Sequence, residues 1–501
     1  MISHGSTRVA LGIVAALAAG GLWGDDTGQK NAPYIEPQEA VSGDSELWVP
    51  GPGSKNFAGS DWASPGETQR IEPIGGSKNA LADTQSGFGA QEVGTAVTSV
   101  DYVCGASGNL DWTTTSGTFE IVRQCTLTVP FDGQLFISAN GSMFNSNGEY
   151  EAQFRIDVDS TSGDANIDRW VNVYNDSGDG SDRSVALSTL KQVTASTHTI
   201  YLLGKRYAGP GRVGVHDPTL SAVFTPASRT CGASGNAVWT TTSTSFQVVR
   251  QCTLTVPSDG FLLISADGSL RNYNGQYEGQ FEIDIDSTVG DLDVDRWLNI
   301  YNDSVDGSDE SVALTVRKPV TAGTHTVYYL GKRKSGPGQV RVLDPTLSAT
   351  FVPASSSCGA FGNETWTTES AANVVIRQCT IEVSQAGLLF ISADGSLFNS
   401  TGEVEGRFQI DVDSTTGDDN IDRWVNVYND SGDGSDRSVA LSVLREVSAG
   451  THTVYFLGRR SAGAGEVGVY DPTLSVWTAN DLIFADGFES GNTSRWSSTR
   501  Q

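Results

Sequence analysis

"EYEAQFRIDVD", Glu149–Asp159, alternates along its length. Tyr150, Phe154, Ile156 and Val158 fall on one side of an extended chain, and Glu151, Gln153, Arg155, Asp157 and Asp159 on the other. That period of two marks a half-buried strand with one apolar and one acidic face. The surrounding stretches repeat the theme in short β-branched runs bounded by Gly, Asp and Asn: "FEIVRQCTLTV", "GQLFISANG", "RWVNVYN", "SVALSTL", "THTIYLLG" and "GRVGVHDPTLSAVF". Nothing has the pattern of a long amphipathic helix. About seven or eight strands separated by turn signals predict an all-β fold, an antiparallel β-sandwich of jelly-roll type.

The unit recurs. Cys104, Cys231 and Cys358 are 127 residues apart, as are Cys125, Cys252 and Cys379. Asp168-Arg169-Trp170 returns as Asp295-Arg296-Trp297 and Asp422-Arg423-Trp424. Units this long are domains rather than solenoid turns. The period places modules at 99–227, 228–354 and 355–479, joined by "TPASRT" and "VPASSS". Links this short predict a stiff, rod-like row. The simplest cysteine connectivity is one bridge per module, Cys104–Cys125, Cys231–Cys252 and Cys358–Cys379. Each closes a loop that stabilises by about 3 kcal/mol in the chain-entropy picture.

The ends carry different signals. "MISHGSTRVALGIVAALAAGGLWGDD" has a short polar start with Arg8, an apolar run and the cleavage candidate Ala16-Leu17-Ala18, which predicts an export signal at 1–24. Residues 25–98, rich in Gly, Ser, Pro, Gln and Asn, read as a low-complexity spacer. At 480–501 the tail contains "LIFADGFESGNTSRWS", Leu482–Ser497. It resembles a short C-terminal segment of exported proteins of Gram-negative bacteria, and that resemblance implies a secreted or cell-surface protein. "AGTHTVYFLGRRSAGAGEVGVYDPTLSVW", Ala449–Trp477, is similar to the last hairpin of extracellular jelly-roll or C1q-like modules, a likeness of architecture that transfers no function.

A formal charge of −27 argues against nucleic acid and against anionic membrane surfaces as partners. Cations and neutral or basic partners fit it better, and no later segment is apolar enough for membrane insertion. The oligomeric state is left open by the sequence.

Three features are candidates for chemistry. In "DRWVNVYN", Val171 and Val173 oppose Trp170, Asn172 and Tyr174; the later copies set Trp297, Asn299 and Tyr301, then Trp424, Asn426 and Tyr428, on the same face. Two aromatics flanking an amide could bind a sugar, or could be buried against a covering element. The loop "YNDSGDGSD" carries Asp176, Asp179 and Asp182, repeated as Asp303, Asp306 and Asp309 and as Asp430, Asp433 and Asp436. Its glycine at 178 becomes Val305 while the aspartates stay, so turn geometry alone does not explain them. Calcium is the cofactor such oxygens would take, although the EF-hand spacing is not met. The second copy of the opening strand is more acidic still, with Glu278, Glu282, Asp284 and Asp286 at alternate positions, which also invites cations.

Catalytic motifs are absent from the sequence: no G-x-S-x-G, H-E-x-x-H, P-loop or dinucleotide fingerprint occurs. The recurring His198, His325 and His452 read as structural. Intramolecular isopeptide stapling is not expected, because Lys191 and Lys318 become Arg445, and Lys205 and Lys332 become Arg459. The expectation is a non-enzymatic array that binds carbohydrate or a surface protein, assisted by calcium. A structural surface or matrix protein without a discrete ligand is the alternative, and a glycan-active enzyme the third.

Overall fold

A computed structural model describes residues 102–479, apart from 146–148, 175–182, 210, 273–275, 292, 302–307, 337, 400–402 and 429–436. The export signal, the spacer and the tail lie outside the described residues. The first module contains nine strands: β1 (Val103–Ala106), β2 (Trp112–Thr114), β3 (Glu120–Thr128), β4 (Gly133–Asn145), β5 (Glu149–Val158), β6 (Asp168–Tyr174), β7 (Arg183–Val193), β8 (Thr197–Ala208) and β9 (Val213–Thr225). One sheet runs β1-β9-β4-β7 with β2 also on β9, and the other runs β3-β8-β5-β6. All pairings are antiparallel. The same arrangement recurs from β10 (Thr230–Ala233) to β18 (Val340–Val352) and from β19 (Ser357–Ala360) to β27 (Val467–Thr478). The chain is therefore all-β, three β-sandwiches of jelly-roll type.

The opening strand behaves as its alternation requires. In β5, Tyr150, Ala152, Phe154 and Ile156 are buried in the core between the sheets, packed with Val122, Ile137, Leu202 and Phe224. Each module has its own core of this kind. Three disulfides, Cys104–Cys125, Cys231–Cys252 and Cys358–Cys379, tie the two sheets together. In the first module the bridge joins β1 to β3, edge strands of opposite sheets.

The rod-like row is not what forms. The three modules close on one another around a pseudo-threefold axis, first against second, second against third and third against first. The five-stranded sheet gives the reason: β7 and β9 are buried on nearly every residue, with no exposed alternate face. A strand buried on both faces must have partners on both, and here the second partner is the next module. On the axis, Ala186, Ala313 and Ala440 pack together. Beside them Glu310 lies between Arg183, at 3.3 Å, and Arg437, at 3.9 Å. Away from these residues, Phe136 of the first module meets Phe390 and Trp477 of the third in an apolar cluster that also holds Leu263 and Val352 of the second. The connectors are single 3-10 turns, Ala227–Arg229 and Ala354–Ser356, each after a proline.

Candidate functional site

Each seam between modules is built from two repeated tripeptides. The arginine of the D-R-W sequence leaves an edge strand of one sandwich and enters the next at its D-P-T sequence, Asp217-Pro218-Thr219, Asp344-Pro345-Thr346 or Asp471-Pro472-Thr473. Arg169 donates to the Asp344 carbonyl at 2.9 Å and to Thr346 Oγ1 at 3.1 Å, and pairs with Asp267. Arg296 donates to the Asp471 carbonyl at 2.9 Å and to Thr473 Oγ1 at 3.3 Å, and pairs with Asp394. Arg423 closes the ring, donating to the Asp217 carbonyl at 3.0 Å and to Thr219 Oγ1 at 3.1 Å. Its third partner is a neutral amide, Asn140. All three arginines are fully buried. The D-P-T aspartates adopt left-handed backbone, φ 46° to 47°, which turns their carbonyls toward the incoming guanidinium.

The exposed edge of the four-stranded sheet is also covered at these seams. The Trp170 amide donates to Ser269 Oγ at 2.8 Å, Trp297 to Ser396 Oγ at 2.9 Å and Trp424 to Ser142 Oγ at 2.7 Å. An edge strand left open would invite pairing with other chains, and here the neighbouring module blocks it.

Trp170, Trp297 and Trp424 are half-buried, while Val171, Leu298 and Val425 beside them are buried in the core. Their rings already have neighbours within the chain. Trp170 meets the edge of Tyr207 at 4.3 Å, Lys334 sits over Trp297 at 4.0 Å, and Arg407 sits over Trp424 at 4.6 Å. The side chains of Asn172, Tyr174, Asn299, Tyr301, Asn426 and Tyr428 lie outside the described set. So do Asp176, Asp179, Asp182, Asp303, Asp306, Asp430, Asp433 and Asp436, and the side chain of Asp309. Among the described residues no group of three or more His, Cys, Asp or Glu is placed to hold a metal ion.

Several carboxylates on the four-stranded sheet and its loops are neutralised from within. In the first module Asp159 bonds His198 Nδ1 at 2.6 Å, Asp164 pairs with Lys191, and Asp168 pairs with Arg155. The third repeats this with Asp413 and His452, Asp418 and Arg445, and Asp422 and Arg407. The second has Asp286 with His325 and Asp291 with Lys318. The histidines hold their places with both nitrogens, the second facing the carbonyl of Thr194, Thr321 or Ser448. The Asp286 bond holds His325 above the usual imidazole value, and Asp413 does the same for His452. His198 is raised too, where burial is the largest influence and opposes the rise, and its bonds to Thr194 and Asp159 outweigh it.

The seam arginines could not be identified as such in the sequence. They stood inside the repeat, but an Arg between Asp and Trp on a strand reads as surface charge. The recoverable signal was the near-continuous apolar or small-residue character of "LFIS", "SVALS" and "TLSAVF", which marks strands covered on both faces.

No family model matches the chain, and no curated protein matches it. Solved structures with a similar course include a protein of Sulfolobus Turreted Icosahedral Virus, 11% identical, covering 75% of this chain and 92% of that one at TM-score 0.17. A second, from an archaeal virus structure described as a triple jelly roll, is 11% identical and covers 75% and 85% at TM-score 0.17. A third comes from the lipid-containing bacteriophage PM2, 11% identical, covering 75% and 99% at TM-score 0.14. At these TM-scores and identities the likenesses say nothing about this chain's activity. The three disulfides fit an oxidising or extracellular compartment.

Proposed function

We propose that this protein is a non-enzymatic extracellular binding head, a trimer-like assembly made from one chain and exported to the surface or surroundings of a Gram-negative bacterium. The observation that carries this reading is the ring of buried seam arginines, which sets three near-identical sandwiches in fixed positions about one axis. Three equivalent surfaces held rigidly suit a repetitive partner, because a second and third contact form at high effective concentration once the first is made. The partner is a carbohydrate or a neutral or basic surface protein, since a chain of net charge −27 repels acidic ones. The half-buried tryptophans at the seams are the proposed contact points. Calcium assistance from the loop aspartates rests on their sequence alone. A purely structural role is the second reading, favoured by the side chains that already cover Trp297 and Trp424.

A glycan array probed with the full chain, and with W170A, W297A and W424A, tests the first reading. Specific binding that weakens stepwise as tryptophans are removed supports it. Silence across glycans, with no retention on cell surfaces, moves the assignment to the structural role.

A further inference from the structure

The sequence contains three Asp-Pro bonds, Asp217–Pro218, Asp344–Pro345 and Asp471–Pro472, and all three lie at the seams. Each aspartate stands at φ 46° to 47°, in a region non-glycine residues rarely enter, whereas the residue before a proline normally lies in extended backbone. In the first module the pair fills a bulge. Asn140 faces Thr219 and Ser142 faces His216, so Asp217 and Pro218 together oppose Gly141. Backbone strained in this way persists only where its surroundings enforce it, and it gathers where a chain does chemistry. Two guanidiniums do the enforcing: Arg423 Nη1 donates to the Asp217 carbonyl at 3.0 Å, and Arg123 Nε donates to the Pro218 carbonyl at 2.9 Å. The same bonds recur in the other modules, so the carboxyl is what sets the first apart. Backbone amides of Ala237 and Glu364 donate to the Asp344 and Asp471 carboxyls. Asp217 Oδ1 is buried and accepts no hydrogen bond.

We propose that Asp217–Pro218 is a self-cleavage site, at which the Asp217 carboxyl cuts the chain on its own C-terminal side. The carboxyl oxygen attacks the carbonyl carbon of the same residue and closes a five-membered ring, an intramolecular step that needs no encounter. The carbonyl oxygen takes up negative charge against the Arg423 guanidinium, which is already in place to meet it. On collapse the bond from that carbon to the Pro218 nitrogen breaks, and the nitrogen leaves with the proton the carboxyl carried. Proline suits the role because its tertiary amide has the more basic nitrogen. The cyclic anhydride left at Asp217 is opened by one water, reaching it from the side of His216 and Asp111, whose side chains are 20% and 41% exposed. One product ends in Asp217 with both carboxyls free, and the other begins at Pro218. Burial holds the Asp217 carboxyl up at about 6, so the protonated form that supplies nucleophile and proton together is present in mildly acidic water. Residues 219–225 stay paired with β4 and 220–223 with β1, so the nicked module keeps its sheet. The step happens once per chain and leaves the non-enzymatic reading intact.

The test incubates the purified full chain at about pH 5 and about pH 8, folded and in urea, and follows intact mass and the sequence of any new N-terminus. The expected result is an N-terminus at Pro218, formed at least about tenfold faster in the folded chain than in urea, and faster at the lower pH. Asp344–Pro345 and Asp471–Pro472 should stay whole over the same period. D217G keeps the left-handed backbone but has no carboxyl, and P218A keeps the carboxyl but offers an ordinary peptide nitrogen; both should stop the cut. Circular dichroism checks that each variant folds, and where one does not, the comparison of folded parent with urea decides. A folded parent still whole after several days overturns the proposal. So does cutting at all three bonds alike, or no faster folded than in urea, since either is the ordinary acid lability of an Asp-Pro bond.

Discussion

Replacing Asn140 by aspartate should strengthen the ring at the seam that no linker spans. Arg169 and Arg296 each meet a carboxylate, Asp267 and Asp394, where Arg423 meets the Asn140 amide. The carboxylate of Asp217 acts on Arg423 from nearby, but burial pushes that group up to about 6, only partly offset by Arg423 itself. Burial lowers Arg423 to about 10, so its charge persists at neutral pH and is compensated less directly than in the other two seams. The Arg423–Asn140 bond is already charge-assisted at its donor, in a class worth about 1.5–3 kcal/mol, and ionising the acceptor as well should carry it from the low to the high end of that range, a gain of about 1–2 kcal/mol for N140D. The exchange has a template, since Ser188 donates to Asp267 where Ser442 meets Asn140. The roughly 380 residues of the modules carry an unfolding entropy of about 0.8 kcal/mol/K, which converts the gain to about 1–2.5 °C in Tm. Differential scanning calorimetry and denaturant unfolding of N140D, D267N and D394N measure it. The expected order is N140D above the parent and the other two below it by a similar amount. If N140D falls as far as D267N, the buried charge of Arg423 is not what limits that seam, and the reasoning fails.

Other outcomes follow from the same geometry. Stability should decline as pH rises from about 4 to 8: burial raises Asp217 and Asp344 to about 6 and Asp471 to about 7, and His325 and His452 are raised by their aspartates. Groups raised on folding stabilise fully below their unfolded values and lose that contribution as pH passes the folded ones. Asp413 and Asp286 are lowered and contribute oppositely, but their loss falls on the acid side of 3.8, so a Tm that climbs steadily between pH 4 and 8 contradicts this assignment. Replacing Cys231 and Cys252 by serine should cost about 3 kcal/mol, read by denaturant midpoint. A313L should force a large side chain between Ala186 and Ala440 and cost about 1–3 kcal/mol or more, with increased protease access at the seams.

How much could be read beforehand depended on whether the information was local. Alternation in Glu149–Asp159 fixed the inward set Tyr150, Phe154 and Ile156, and the cysteine spacing fixed the pairing, because both concern residues close in sequence. The assembly of modules did not follow, since Arg423 and Asn140 are 283 residues apart and neither looks unusual where it stands. Short linkers suggested a row, yet a short connector also permits a tight turn about an axis when the adjoining strands are apolar on both faces. The acidic strand face was legible as a puzzle. Its answer, internal basic partners such as His198 for Asp159 and Lys191 for Asp164, needed three dimensions.

The closed ring is the central claim, and its most direct test joins the first module to the third. Ser138 Oγ and Ser442 Oγ lie 2.8 Å apart although 304 residues separate them. In S138C/S442C, mild oxidation should yield an intramolecular disulfide in nearly all monomers, seen by mass spectrometry of the linked peptides under non-reducing conditions. Free thiols, or bridges only between chains, would contradict the ring.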